Sequence, residues 1–518
     1  MLLIEAFVRK PSQQISGYFS VFAQVIALAL LWRQIFIFKA IEPVALFRHT
    51  IQIDGFGLFV NALILIAGIL ASIASIDYLR RQGVSHGEYH AFQLFAVLGM
   101  MLMVSSMELV TLFISLELMS LSIYIMCGYR RDNARGIESA IKYFLLGGFA
   151  AAILLFGIAH LFGQSGSTYL LDIARAMRTG LSVSGSTIGN PALMKLGMAM
   201  FAAGILFKVA AVPMHFWLPD AYDGAPAPVT GFMAAAVKAA AFAVLVKFLY
   251  FTSTGNPAET NPRITGLHPP FDQAILFFAC VTMLIPNLIA LCQTSVKRIL
   301  AYSSIAHAGY MLVGVRCMAN YRGVGGDDAT AALLYYLMAY GLMTLGAFII
   351  VGRLSGPNEE RGQLDDLNGI GYRQPFLSLV MAICVLSMAG SPPLAGFWGK
   401  YLVFKTAVDN GYIGFAVFAI ISSVIAVFYY LRILVHMYMR PAEADFAQEA
   451  GEEEAAGVLR GWDFKVSLGA IAFALIWLGM GPFTVLKIVP GSETLWNWSK
   501  VAAEALSNQH EFMSKMLF

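Results

Sequence analysis

Glu117, Lys208 and Lys238 each stand inside a long apolar run: Glu117 in LFISLELMSLSIY, Lys208 in AAGILFKVAAVPMHFW and Lys238 in GFMAAAVKAAAFAVL. An ionisable side chain at the centre of a bilayer costs at least roughly 2.5–3.5 kcal/mol on insertion scales, so its retention marks a function. Glu117 lies about eight residues into its run, or roughly 12 Å at 1.5 Å per residue, and the two lysines lie near mid-depth. Lysine suits proton carriage, because desolvation disfavours its charged form and a nearby carboxylate restores it. Static pairing with a carboxylate, fixing helix packing, is the alternative for both lysines. Lys247, nearer its helix end, is expected to snorkel to the interface. Glu138 and Lys142 stand at i and i+4 in the favoured order, which suits either a relay or an ordinary helix-surface pair. His215, beside a helix break, and His307, within YSSIAHAGY, titrate near neutrality and fit either a proton shuttle or a hydrogen-bonded core histidine.

The elements that must hold these groups are membrane helices. Hydrophobic residues make up 58% of the 518 positions and charged residues 13%, too little polar surface for a soluble globule. Runs near the 20 residues needed to cross lipid recur at Gly17–Phe38, Phe56–Tyr78, Ala91–Ser105, Leu109–Gly128, Ile137–Phe162, Leu193–Phe216 and Pro228–Phe251. The second half supplies Ala274–Cys292, Ile299–Met318, Ala331–Gly352, Phe376–Phe404, Gly411–Tyr438 and Val466–Val485, with Met1–Val8 as the stub of a further span. The fold class is therefore all-α and integral to the membrane, with about 13–14 spans.

Pro213 interrupts the run that carries Lys208, and Pro392-Pro393 interrupt the run that continues through Gly396 and Gly399 to Lys400. Broken helices in corresponding positions of two halves point to a transport site built from inverted repeats, although a plain structural kink also fits Pro213 alone. Alternate loops are rich in Lys and Arg: Arg80 and Arg81; Arg130, Arg131 and Arg135; Lys297 and Arg298; Arg353, Arg361 and Arg373. These are expected to face the cytoplasm, which puts the C-terminus outside. Two longer polar stretches, Gly163–Pro191 and Pro441–Gly461, do not read as folded domains. The second carries Glu452, Glu453 and Glu454, read as a solvated loop or a docking surface.

A net charge of +3 spread between apolar runs excludes a nucleic-acid surface. The five cysteines lie apart in apolar stretches and read as small core residues, with no thiolate cluster for a metal. No nucleotide fingerprint or Walker motif is present, so energy must come from a partner chain or an ion gradient.

Five motifs then fall in register: SLELMSLSIYIMCGY, ESAIKYFLLGGFA, FKVAAVPMHFWLPDAYDGAPAPVTGF, QTSVKRILAYSSIAHAGY and AGSPPLAGFWGKYLVF. From Asp54 to Tyr438 the chain resembles the antiporter-like membrane subunits of respiratory complex I, the proton-pumping NADH:quinone oxidoreductase, and among them the N type. The resemblance implies fourteen spans and two inverted five-helix repeats, here residues 91–252 and 272–440, flanked by N-terminal helices (1–90) and a last span with its tail (441–518). It implies a relay of Glu117, Lys208, Lys238 and Lys400 conducting protons, with Glu117 modulating Lys208. The chain itself would carry no redox group. FMN, iron–sulfur clusters and quinone would belong to partner subunits, the neighbours being the M and K types in a bacterial plasma membrane. Lys400 stands where the M type carries glutamate, and little chain follows Val485 for the long lateral helix of the L type. Multisubunit cation/proton antiporters share these motifs and are the runner-up; a structural spacer without its own proton path is the reading from a different class.

Overall fold

The computed structural model of the chain describes residues 15–38, 43–84, 87–187, 190–253, 268–318, 326–354, 362–441, 462–480 and 494–516. Met1–Val8 and Glu452, Glu453 and Glu454 lie outside the described residues. Among the described residues each of the thirteen apolar runs contains helix, broken within Leu193–Phe216 and Phe376–Phe404. In chain order they form α1 (Ile15–Phe38), α2 (Gly55–Arg81), α3 (Gly87–Ser105), α4 (Leu109–Cys127) and α5 (Ala134–Ser165). After the short α6 (Leu170–Thr179) come α7 (Pro191–Val209), α8 (Trp217–Gly224), and α9 (Ala227–Phe232), which runs through a π-helical turn, Met233–Val237, into α10 (Lys238–Ser253). The second half contains α11 (His268–Leu291), α12 (Val296–Met318), α13 (Gly326–Leu354), α14 (Ile370–Arg373), α15 (Pro375–Ala389), α16 (Ala395–Asp409), α17 (Ile413–Tyr438), α18 (Trp462–Gly479) and α19 (Thr494–Met516).

Ten helices among the described residues are long and apolar enough to cross a membrane. The difference from thirteen has local causes. The run Phe376–Phe404 is divided into α15 and α16, and α18 is short. Helix α12 is diluted by Lys297, Arg298, Ser303, Ser304, His307 and Arg316. The apolar stretches of α9–α10 and α13 are buried throughout, whereas α1, α5 and α17 keep outward apolar faces. That division is the one expected of a bundle in lipid, where helices hydrophobic all round form the centre.

The apolar runs left several elements out, among them the short α8 and α14 that lie between runs. The polar stretch Gly163–Pro191 contains α6, and α19 follows the last apolar run. Helix α19 packs Trp498 against Trp32 and Phe59, with ring centroids 6.0 and 4.6 Å apart. A hairpin of β1 (Val44–Leu46) and β2 (Ile51–Ile53) pairs Ala45 with Gln52 ahead of α2. Of the cysteines, Cys127, Cys317 and Cys384 are core residues as expected, but Cys292 is exposed because it falls at the end of α11.

The two breaks are built alike. Helix α7 ends at Ala210 (φ 61°) and α15 at Gly390 (φ 91°), both left-handed. In the first, Ala210 N–H donates to Leu206 and Phe207 carbonyls and Ala211 N–H to Leu206. In the second, Gly390 N–H donates to Leu386 and Ser387 and Ser391 N–H to Leu386. Each left-handed residue is followed three positions later by a proline after a cis peptide bond, Pro213 and Pro393. The two broken elements thus share one cap geometry.

Candidate functional site: three buried lysines

Lys208, on the last turn of α7, is buried, and its ammonium donates to Ser120 Oγ at 2.8 Å and to Tyr124 OH at 3.1 Å, both on α4. The rings of Tyr124, Tyr143 and Phe207 surround it with centroids 5.3–5.8 Å away. The break fixes this end of α7 from two sides: Trp217 Nε1 donates to Phe207 O at 3.0 Å, and Val212 N–H donates to Thr282 Oγ1 of α11 at 2.9 Å. Trp217 also stacks on Tyr143 at 4.2 Å. The freed backbone is satisfied by protein, as membrane depth demands.

Lys238 opens α10 immediately after the π-helical turn, the kind of local irregularity that often re-aims a functional side chain. Its ammonium donates to the carbonyl of Ser304 and lies 5.5 Å from the Tyr340 ring centroid. Tyr340 OH in turn donates to Ser304 Oγ at 2.7 Å. Lys400 of α16 reaches back across the second break, donating to Ala389 O at 3.2 Å and Ser423 Oγ at 2.8 Å, with the Tyr310 ring centroid 5.3 Å away.

His307 joins the last two surroundings. Its Nδ1 is hydrogen-bonded to Tyr336 OH at 2.6 Å and its Nε2 to Tyr430 OH at 3.0 Å, and Tyr430 OH is bonded to Ser303 Oγ. The imidazole lies 5.2 Å from the Tyr340 ring beside Lys238 and 5.6 Å from the Tyr310 ring beside Lys400. Tyrosine hydroxyls donate and accept, so the cage can pass a proton as well as hold the ring.

No carboxylate lies within 4.0 Å of Lys208, Lys238 or Lys400 among the described residues. Lys247 is the contrast. The snorkelling expected of it does not occur: it is buried, forms an ion pair with Asp54 at 3.0 Å and donates to Val104 O at 2.8 Å. Asp54 also caps α2 by accepting from Gly57 N–H. Asp54 is 193 positions away in the chain, so only the fold reveals the partner that keeps Lys247 inside.

Glu117 occupies the outward stripe of α4, between the exposed Ile114 and Leu121. It makes no ion pair within 4.0 Å, and its Oε1 is buried without a hydrogen-bond partner. His215 sits in the first break, buried, with Nδ1 also unpartnered. Glu138 and Lys142 do pair, at 2.7 Å, but in a surface cluster apart from the buried lysines. Lys142 also meets Asp220 at 2.9 Å, and Arg298 bridges Asp220 and Asp223 at 3.2 and 3.9 Å, around a cavity of about 300 Å³. Sequence reasoning missed Asp220, Ser120, Ser304, Ser423 and the tyrosine cage; the i, i+4 pair Tyr336 and Tyr340 was the available signal.

Residues 106–426 match the family described as NADH:quinone oxidoreductase/Mrp antiporter, transmembrane. NADH-quinone oxidoreductase subunit N of Trichlorobacter lovleyi is 38% identical over 78% of each chain, and subunit N 1 of Sorangium cellulosum is 40% identical over 84% of this chain and 82% of the relative. The chain belongs to the subunit N family of NADH-quinone oxidoreductase. Within that family it is an antiporter-like membrane subunit, and its fold agrees with that of a chain of respiratory complex I from Thermus thermophilus with bound aureothin (31% identity, TM-score 0.71, 94% and 95% of the two chains). A chain of the Mrp complex from Dietzia, 18% identical with a TM-score of 0.78 over 100% and 96%, shares the fold. The two breaks described above fall one in each half of this subunit N family member.

Proposed function

We propose that the chain conducts protons across a bacterial plasma membrane as a subunit of a proton-pumping NADH:quinone oxidoreductase, using Lys208, Lys238 and Lys400 as carriers, His307 as a shuttle and Glu117 as the charge that modulates Lys208. The observation that carries this reading is that, among the described residues, no carboxylate lies within 4.0 Å of these three lysines, whose ammonium groups are held by hydroxyls, carbonyls and ring faces. A buried ammonium with a fixed counter-ion is committed to an ion pair, as Lys247 is with Asp54; one held by dipoles alone can release its proton without stranding a buried anion. The surface cluster of Glu138, Lys142, Asp220 and Arg298, on the side rich in basic loops, supplies an entry for protons from the cytoplasm. His215 serves as a second, local acceptor beside Lys208.

The chain performs no redox step in this proposal. Flavin, iron–sulfur and quinone chemistry belong to partner subunits, whose quinone reduction drives the change in the Glu117–Lys208 interaction. A carboxylate in the middle of an outward apolar stripe is costly against lipid, so a neighbouring membrane chain, of the M or K type, is expected to cover α4. The alternating basic loops support a periplasmic C-terminus.

The test is a Lys208→Ala variant in the assembled enzyme, reconstituted into vesicles with a pH-sensitive dye. Proton pumping is expected to fall while assembly persists. Pumping equal to wild type in a fully assembled variant would remove Lys208 from the path.

A further inference from the structure

A cleft of about 250 Å³ opens beside the first break. Ala199 and Pro213 are exposed at its mouth, Ala203, Leu206, Met214 and Phe278 are half-buried along its walls, and Leu245 and Leu312 close its floor. Its walls are carbon, with small alanines where larger residues would have filled the space. A cavity of this kind stays dry and takes an apolar occupant. The backbone along the break offers it no free donor: Ala210, Ala211 and Val212 N–H are all spent within the protein, and Pro213 has none.

One charged residue shares the stripe that leads into the cleft. Lys195 precedes Ala199 by one helical turn, and Ala202, Ala203 and Leu206 continue the same face of α7. From Lys195, near the start of the helix, to Leu206 is about 16 Å along the axis. That equals the depth of one leaflet, half of a hydrocarbon core roughly 30 Å thick. A positive charge at headgroup level, a carbon-lined cleft one leaflet deep below it, and a lateral opening are the complement of a single phospholipid.

We propose that this cleft is a phospholipid site: one acyl chain fills the cavity between α7, α10 and α11, and the phosphate rests at Lys195. The chain end then lies against Val212 and Met214 and keeps water off the break that ends two residues from Lys208. The surface is distinct from the proton groups, since neither Lys195 nor any cleft residue belongs to them.

The experiment uses the whole enzyme, extracted in its native membrane patch and supplied with a phosphatidylglycerol that carries a photoreactive diazirine at the chain end. Labelled peptides are located by mass spectrometry. Label is expected on Met214 and Phe278. Ala203→Phe and, at the exposed rim, Ala199→Phe should each plug the cleft and remove it. Lys195→Gln should weaken labelling by about fivefold, the factor one basic residue contributes at an anionic lipid surface. Label spread evenly over outward residues such as Phe149, or undiminished in both phenylalanine variants, would mean ordinary annular lipid and no site. Label lost in the phenylalanine variants but unchanged in Lys195→Gln would assign the cleft to a lipid tail without a phosphate and overturn the proposal. A neighbouring chain's helix found seated in the cleft would overturn it too.

Discussion

Five lysines are buried among the described residues; Lys297 holds the backbone carbonyls of Asp223 and Ala225 beside the surface cluster, and the other four divide by their partners. Lys247 meets a carboxylate; Lys208, Lys238 and Lys400 meet hydroxyls, carbonyls and rings. Depth in an apolar run picked out Lys208 and Lys238, and Lys400 came into view through the second break and the motif around it, because cost rises with burial for any charge. Depth could not tell a carrier from a lock, since that depends on whether another helix brings an anion, and Asp54 belongs to a different helix at the far side of the sequence. The lock should behave as buried ion pairs do. Lys247→Met strands the Asp54 carboxylate and is expected to cost about 3–5 kcal/mol. Adding Asp54→Asn, which keeps an oxygen for the α2 cap while removing the charge, should restore most of that loss. Thermal unfolding in detergent measures both; a single variant as stable as wild type, or a double variant as damaged as the single, would show that the pair does not hold α2 to α10.

The breaks are where element-scale chemistry is written into the chain. Proline positions were readable in the sequence, because a proline inside an apolar run has few other meanings. The cap ahead of each was only half readable: Gly390 is an ordinary residue for a left-handed helix end, but Ala210 is not, and nothing local announces φ 61° there. The two positions therefore respond in opposite directions to the same exchange. Ala210→Gly is expected to stabilise by about 0.5–1 kcal/mol, the left-handed penalty less the entropy that glycine adds. Gly390→Ala should cost a similar amount, and its new Cβ would meet Lys400 Cδ at 3.3 Å, displacing that side chain. Thermal midpoints should rise for the first variant and fall for the second, and pumping should fall only in the second. Equal shifts in one direction would mean that the breaks relax freely and do not position the lysines.

At the scale of the molecule, the halves meet in two different ways. On the basic-loop side, Arg353 of α13 is bonded to Asp77 of α2, and Arg81 donates to the carbonyls of Arg353 and Gly352 at 3.2 and 3.1 Å, a clamp of charge-assisted bonds between the halves. In the interior the junction is softer: Lys238 belongs to the first half of the chain, Lys400 to the second, and between them lies His307 in a cage of Tyr310, Tyr336, Tyr340 and Tyr430. Thirteen runs and their loops make the bundle legible from hydropathy alone. The cage is not, because tyrosine within an apolar helix is as much core as polar until its hydroxyl finds a partner. If protons cross from one half to the other, His307 stands between the lysines with both ring nitrogens on tyrosine hydroxyls, able to take a proton at one and give one up at the other. His307→Gln keeps a side chain able to bond one tyrosine yet unable to shuttle, so it should leave the fold and the assembly intact. Pumping should slow by roughly 100-fold, the low end for loss of a proton-transfer group. His307→Gln with wild-type pumping would mean that each half conducts by itself and that the tyrosine cage is packing.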